Sequence, residues 1–388
     1  MAYEIYLKKN EEKRIVAGHS WVYANEVARI EGKDKNGSLA SVFSNDGRFI
    51  GKGYINHASK ILVRIFIRGD EVDDREFYSN RLREAWEYRR KLGYENCCRV
   101  VFAEADSLPA LIVDKYGDYL AVQCLSLGID LRKQLIADCL AEIFHPKGIF
   151  ERSDVVLRKK EGLAEVKGTL YGEVPDEVEI VENGLKMLVD IKNGQKTGYF
   201  LDQKENRFAA RRYAAGGEVL DCFCNSGGFT VNCATVAKSV TACDVSQPAL
   251  DSVMKNVRLN GLDNVNTVCG DAFAILRDFR KSGKKFDLVI LDPPAFCKTA
   301  DEVKDAYRGY KDINIQGMKL VKSGGFLITC SCSHYMTSTL FERMLTEAAK
   351  ESGRTVRSVE VKTQAPDHPS LVCADETHYL KFYVLHLI

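Results

Sequence analysis

The sequence predicts an α/β protein whose second half is a doubly wound, mostly parallel sheet, preceded by a small β-barrel and an α+β module. Three observations carry this. From about residue 216 onward, apolar β-branched runs alternate with helical stretches, the pattern of a parallel sheet covered on both faces. Residues 1–70 hold short strand-like runs broken by turn signals. Residues 98–175 combine three strand-like runs with one amphipathic helix.

In the barrel region the strand-like runs cover 39–43, 49–54 and 61–67, with turn signals at Asn36-Gly37, Asn45-Asp46-Gly47 and Asn56-His57. A polar helix is predicted over about 73–92, with Phe77, Leu82, Ala85, Trp86 and Leu92 recurring on one face. In the middle region, strands are expected over 99–103, 110–114 and 119–123. A turn falls at 115–118, and a helix covers about 131–144. A hairpin turning at Asn183-Gly184 leads into the last region. There the strands cover 218–222, 239–243, 265–269, 286–291 and 325–329, with a helix over 247–260 among the intervening stretches. The expected organisation is three domains, 1–70, 71–178 and 179–388.

Composition narrows the class. A chain of 388 residues exceeds what one hydrophobic core usually serves. Hydrophobic residues at 45% and charged residues at 28% are ordinary for soluble globular protein. No apolar run reaches membrane-spanning length, and the amino terminus is charged too early for a signal peptide, so a cytoplasmic protein is expected. The 13 cysteines include no C-x-x-C, only Cys97-Cys98, Cys222-x-Cys224 and Cys330-x-Cys332, which argues against zinc and disulfides. No metal is expected, and most of these thiols read as small buried hydrophobes. The net charge of +1 hides an asymmetry: residues 1–69 hold 12 Lys/Arg against 7 Asp/Glu, and the rest 43 against 47. A basic leading module suits nucleic-acid binding, and it equally suits a solvated basic surface.

Doubly wound sheets bind ligands beyond the carboxyl ends of their strands, and the residues there are informative. After the first strand comes Asp221-Cys222-Phe223-Cys224-Asn225-Ser226-Gly227-Gly228-Phe229, whose adjacent glycines let the backbone approach a ligand closely. Neither G-x-G-x-x-G nor a P-loop is present. Asp244 ends the second strand, where a carboxylate can accept both ribose hydroxyls of an adenosyl group. Asp271, followed by Ala272, comes after the third strand and is placed to accept from an adenine amino group. The fourth strand ends in Asp292-Pro293-Pro294-Ala295-Phe296. Each feature alone is weak. In this order, after four successive strands, they resemble the class I S-adenosylmethionine-dependent methyltransferases.

The resemblance narrows further. The segments 194–203 (GQKTGYFLDQ), 308–312 (RGYKD) and Ser331-Cys332-Ser333 are similar to the RlmI-type bacterial 23S ribosomal RNA large-subunit methyltransferases. So are 104–109 (EADSLP), 112–118 (IVDKYGD), 18–23 (GHSWVY) and 51–54 (GKGY). Ser107, Ala110 and His19-Ser20 depart from that family's pattern, away from the expected chemistry. The resemblance implies a Rossmann-like methyltransferase domain behind a PUA-like RNA-binding barrel, with S-adenosylmethionine as cofactor. It implies cofactor contacts from Tyr199, Phe200 and Gln203, joined by Asp221, Phe223, Asn225, Gly227, Gly228, Asp244, Asp271, Ala272 and Asp292. Pro293, Pro294 and Phe296 are expected to meet the substrate. The implied partner is RNA, either 23S ribosomal RNA or an assembling large ribosomal subunit, and relatives suggest a homodimer.

An Asp-Pro-Pro-aromatic run is most familiar from methylation of exocyclic amines, where Asp holds the amine and the ring stacks on the base. The fifth strand, ending in Thr329-Cys330-Ser331-Cys332-Ser333, changes that balance. Carbon 5 of cytosine is a poor nucleophile; a thiolate added at carbon 6 activates it and leaves once a base removes the carbon 5 proton. By the resemblance, Cys332 occupies the nucleophile's position. Cys330 reads as packing, and Cys297 is a rival. Asp292 is expected to hydrogen-bond the cytosine ring nitrogen or amine. Lys298, Arg308, Lys311 and His334 are the nearby groups that could lower the thiol's pKa, and no residue is singled out as the final base. Two alternatives stand: methylation of guanine nitrogen without a catalytic cysteine, and a non-catalytic RNA-binding protein on the same scaffold. His19, Trp21 and Tyr23 fit a barrel core or RNA stacking, and Asp367-His368-Pro369 resembles a family motif without an evident role.

Overall fold

The computed structural model describes residues 2–297 and 299–388, so Lys298 lies outside the described residues. It groups the chain into two compact units. The first is Met1–Ile180 with Val189–Leu201 and Pro366–Thr377; the second is Val181–Leu188, Asp202–Ala365 and His378–Ile388.

The first unit opens with six strands, β1 (Tyr3–Leu7), β2 (Trp21–Tyr23), β3 (Val27–Glu31), β4 (Leu39–Phe43), β5 (Phe49–Ile55) and β6 (Ile61–Ile67), and a short helix α1 (Glu12–Val16). Their order is β2-β6-β5-β4-β1-β3. Alternate residues of β1 and β4 point inward, the two-residue period of a half-buried strand. Ile5, Leu7, Ile15, Val42, Val63 and Ile65 meet in the core. Gly53 is required by its neighbour strand: a Cβ there would lie 2.1 Å from the Arg64 carbonyl oxygen.

Helix α2 (Arg75–Lys91) begins where Asp74 caps it, accepting from the Phe77 N–H at 3.0 Å, two residues later than the polar pattern suggests. It packs with α4 (Lys133–Phe144) over a second sheet. That sheet has strand order β11-β10-β9-β8-β7: β7 (Cys97–Phe102), β8 (Leu111–Tyr116), β9 (Tyr119–Cys124), β10 (Gly148–Ser153) and β11 (Val166–Gly172). A one-turn helix α3 (Leu127–Asp130) precedes α4. The last two strands escape the sequence reading, because β10 hides charged residues: Glu151 and Arg152 are buried. Arg152 is held by the Gly194 carbonyl at 2.8 Å and by Asp154, and Glu151 by Lys133. A further buried network centres on Asp114, which accepts from Arg99 Nε and Nη2 at 2.8 Å each and from the Thr197 hydroxyl at 2.5 Å. Asp367 joins it from far along the chain. Its carboxylate accepts from the Arg99 N–H at 3.0 Å, and its carbonyl accepts from Arg89 at 2.8 Å.

Strands β12 (Val178–Glu182) and β13 (Leu185–Val189) form the expected hairpin, with Asn183 and Gly184 both at positive φ. The second unit is the doubly wound sheet: β14 (Glu218–Cys222), β15 (Ser239–Asp244), β16 (Val265–Cys269), β17 (Phe286–Leu291), β18 (Val321–Ser331), β19 (Val356–Lys362) and β20 (Lys381–Leu387). Its order is β16-β15-β14-β17-β18-β20-β19. Strands β14 to β18 run parallel, and β20 is antiparallel to both its neighbours. Helices α5 (Lys204–Ala214), α6 (Gly228–Ala234), α7 (Gln247–Leu259), α8 (Ala272–Lys281), α9 (Val303–Leu320) and α10 (Ser338–Ser352) connect these strands. Leu220, Leu291, Ile313, Leu327, Phe341 and Leu385 form part of its core. Strand order reverses between β14 and β17, which sets the ligand crevice at their carboxyl ends. Among the described residues, no helix is long and apolar enough to cross a membrane.

Candidate active site

The carboxyl ends of the parallel strands bring most of the sequence-predicted residues together. Cys222 is level with Cys243 on one side and Leu291 on the other, and Leu291 with Thr329, so the segments leaving β14, β15, β17 and β18 emerge side by side. Between β14 and α6 the chain turns through three left-handed positions, Phe223, Asn225 and Gly227. Two groups fix this turn. The Asp244 carboxylate accepts from the Asn225 N–H at 3.0 Å and the Ser246 N–H at 2.9 Å, and the Asn256 side chain donates to the Ser226 carbonyl at 2.9 Å. Gly227 has φ near +87°, and an added Cβ would meet Val253 at 3.1 Å. A side chain there would both strain the turn and fill it.

Asp221 lies beneath, 1% exposed. Its Oδ2 accepts from the Thr230 hydroxyl at 2.6 Å, and its buried Oδ1 has no donor among the described residues. Burial pushes this carboxyl up to about 7, opposed by the Thr230 bond and assisted by the Asp292 and Asp244 carboxylates. The folded value lies above the unfolded one. The stability it contributes is therefore full below about pH 4 and is lost as pH rises through about 7. Asp221→Asn cannot titrate, so its urea midpoint should decline less than the parent's between about pH 5 and pH 8. Over that range the difference is about 3 kcal/mol, and parallel pH profiles would refute the assignment.

Asp271 is exposed and caps α8, accepting from the Ala274 N–H at 3.1 Å, while Ala272 is buried behind it. Asp292 leaves β17 half-buried, with Gln203 donating to its Oδ1 at 3.0 Å. Pro293 is buried and Pro294 exposed. Phe296 packs on Tyr310 with ring centroids 4.7 Å apart, within reach of Phe223 and Phe273. Gly309 leaves room for that ring: a Cβ would stand 3.3 Å from it. Tyr199 and Phe200 fall in the first unit, where Tyr199 is buried, its carbonyl accepting from Tyr116, and Phe200 lies under the Lys196 ammonium at 4.5 Å.

The three candidate thiols differ sharply. Cys330 is 0% exposed, and burial, then the Asp292 carboxylate, push its thiol well up. Cys297 is 3% exposed, its thiol is pushed up by burial, and its S–H donates to the Thr299 carbonyl at 3.0 Å. Cys332, just past β18, is the partly exposed one.

Two groups that the sequence did not single out also converge here. Tyr310, from the 308–312 segment, hydrogen-bonds the Ser333 hydroxyl at 3.0 Å and is pushed up to about 12 by burial. Lys381, the first residue of β20, donates to the Ser333 carbonyl at 2.6 Å and the Tyr379 carbonyl at 2.7 Å. Arg308 pairs with Asp305, and Lys311 with Glu347 and Glu351. Tyr310 could have been found through its segment, but Lys381 carries no local motif.

Residues 151–383 match the model of an S-adenosylmethionine-dependent methyltransferase family, and residues 5–68 match a PUA-like domain. The Ribosomal RNA large subunit methyltransferase I of Aeromonas hydrophila is 41% identical, over 99% of each chain. The protein of that name from Klebsiella pneumoniae is 38% identical, over 99% of this chain and 98% of its own. The chain belongs to the ribosomal RNA large subunit methyltransferase I family. The methyltransferase also shares its fold, at TM-score 0.84 and 20% identity over the full length of both chains, with a Streptococcus mutans structure described as a SAM-dependent methyltransferase. A methyltransferase solved with SAH matches at TM-score 0.86 and 20% identity, also over both full lengths. The tRNA m1G37 methyltransferase of M. jannaschii matches at TM-score 0.50 and 16% identity, over 97% of this chain and 96% of its own.

The methyltransferase's strand-end residues fit the cofactor on structural grounds. A buried carboxylate oxygen without a donor among the described residues, Asp221 Oδ1, suits a ligand that brings its own ammonium. Gly227, at positive φ, lets the turn after β14 close tightly against Val253.

Proposed function

We propose that the methyltransferase forms 5-methylcytidine in 23S ribosomal RNA, through a covalent adduct with Cys332. The observation that carries this reading is the contrast among the thiols. Cys332 alone of the three candidates is partly exposed, at the strand end adjoining the one that carries Asp292, while Cys330 and Cys297 are buried and pushed away from ionisation.

S-adenosylmethionine, when bound, supplies an electrophilic methyl group. Asp221, the Asn225–Gly228 turn, Asp244 and Asp271 would hold it. Asp244, with two backbone donors already on its carboxylate, would both shape the turn and accept from the ribose. Asp244→Ala should therefore weaken S-adenosylhomocysteine binding about 10- to 100-fold, the worth of a charge-assisted bond or two. Calorimetric titration of the variant measures this, and unchanged affinity would remove Asp244 from the site.

The chain's own groups account for the steps on the base. The Cys332 thiolate adds to carbon 6 of cytosine, forming the carbon–sulfur bond and raising electron density at carbon 5. Asp292 binds the ring nitrogen or amine and steadies the adduct. After methylation a base takes the carbon 5 proton, the carbon–sulfur bond breaks and the thiolate leaves. Phe296, braced on Tyr310, would stack on the base. The PUA-like barrel supplies the basic RNA-facing module.

The test is transfer of labelled methyl from S-adenosylmethionine to unmodified 23S RNA, followed by nucleoside analysis. Labelled 5-methylcytidine is expected. Labelled methylguanosine would hand the activity to the cysteine-independent chemistry on guanine nitrogen, and absence of transfer to RNA or ribosomal particles would refute the substrate.

A further inference from the structure

The thiolate that this mechanism needs sits among groups that oppose it. Asp292, at the end of β17, is a carboxylate close enough to push up the neighbouring Cys330 thiol, and Cys330 and Cys332 repel one another when charged. Asp221 and Asp244 add negative charge at the adjoining strand ends. Tyr310, from α9, faces Cys332 as a neutral phenol bonded to Ser333. On the loop after β18, His334 and Tyr335 are exposed. Among the described residues, the cation shown to interact with Cys332 is Lys381 on β20.

Lys381 brackets Cys332. Its backbone is level with Ser331 in the antiparallel pairing of β18 and β20, one residue before the cysteine. Its ammonium reaches the carbonyl of Ser333, one residue after it. An ammonium has three donors; the Ser333 and Tyr379 carbonyls take two, and no oxygen among the described residues takes the third. The side chain is 5% exposed, a costly place for a lysine, and burial lowers its pKa to about 8 while the Cys332 thiolate pulls it back up. A lysine held this way stays protonated at neutral pH and favours negative charge on its neighbour.

We propose that Lys381 is a positioning residue that holds Cys332 as a thiolate, its third N–H directed at the sulfur from the adjacent strand. The inference rests on the covalent reading of Cys332. The thiol proton goes to solvent and the ammonium keeps its own. When sulfur bonds carbon 6 the negative charge passes to the pyrimidine, and on elimination it returns to a sulfur whose counter-ion is still in place.

The experiment measures the rate of Cys332 alkylation by iodoacetamide against pH, by mass spectrometry of the Cys332 peptide. It uses the full-length protein without RNA or cofactor. Lys381→Met removes the charge and the donors, Lys381→Gln removes the charge and keeps a donor for the carbonyls, and Lys381→Arg keeps the charge. The Met and Gln variants should both raise the midpoint of thiol ionisation by roughly one to two units, with the Arg variant within about half a unit of the parent. The acid limb of kcat/KM should move with it. A role limited to bracing the Ser333 loop predicts instead that Gln behaves as the parent. A parent-like midpoint in Gln and Met variants that bind S-adenosylhomocysteine normally would overturn the proposal. The covalent reading is decided separately, by whether the parent is trapped on RNA containing 5-fluorocytidine. Failure there removes that reading whatever the titration shows, and an unmoved titration removes the role of Lys381 whatever the trap shows.

Discussion

Cys332→Ala is expected to lower methyl transfer to cytosine by about three orders of magnitude or more, with S-adenosylhomocysteine affinity unchanged within about twofold. The side chain is partly exposed, so its truncation leaves little cavity. The loss should therefore fall on the chemical step. Cys330→Ala and Cys297→Ala serve as contrasts. Both thiols are buried and pushed up, so they should change stability more than rate. The fold cannot decide this question, since a tRNA m1G37 methyltransferase shares it at TM-score 0.50. A Cys332→Ala enzyme that methylated cytosine at the parental rate would end the covalent mechanism.

Asp292→Ala should lower kcat by about 10²- to 10³-fold while changing cofactor affinity much less. Its carboxylate is pre-positioned by the Gln203 amide at 3.0 Å, so it meets the base without reorganising. Asp292→Asn keeps the size and one acceptor but loses the charge, and should lie between the parent and the alanine variant. Each change also removes a negative neighbour from Asp221 and Cys330, whose pKa values should fall. Single-turnover kinetics with saturating cofactor measure the loss, and equal kcat in all three proteins would exclude Asp292 from the reaction.

Much of this site was legible in the sequence because doubly wound sheets order their strand ends predictably. The Gly227-Gly228 turn, Asp244, Asp271 and Asp292 each follow a parallel strand whose apolar run gives it away. What escaped depends on partners distant in sequence. Strands β10 and β11 were missed because Arg152 and Glu151 look solvent-facing until the Gly194 carbonyl and Lys133 are beside them. Lys381 reads as an ordinary charged residue, and only the antiparallel pairing of β20 with β18 brings it level with Ser331, beside the Cys332 segment. Asp271 was placed correctly at its strand end, but periodicity could not tell that its carboxylate would first cap α8. Tyr199 and Phe200 came from family resemblance alone, since a glycine-bearing loop has no period to read.

The reach of Asp367 has a consequence for how the protein is made. The Arg99 N–H and the Arg89 guanidinium wait for a residue 268 and 278 positions further on. At ordinary translation speeds that delay is roughly 15 to 55 seconds. During it the sheet of β7 to β11 is already outside the ribosome with its buried polar contacts incomplete. A chain that ends before Asp367 would thus leave the Arg99 N–H and the Arg89 guanidinium short of a partner in the amino-terminal half, besides lacking β20 in the second sheet.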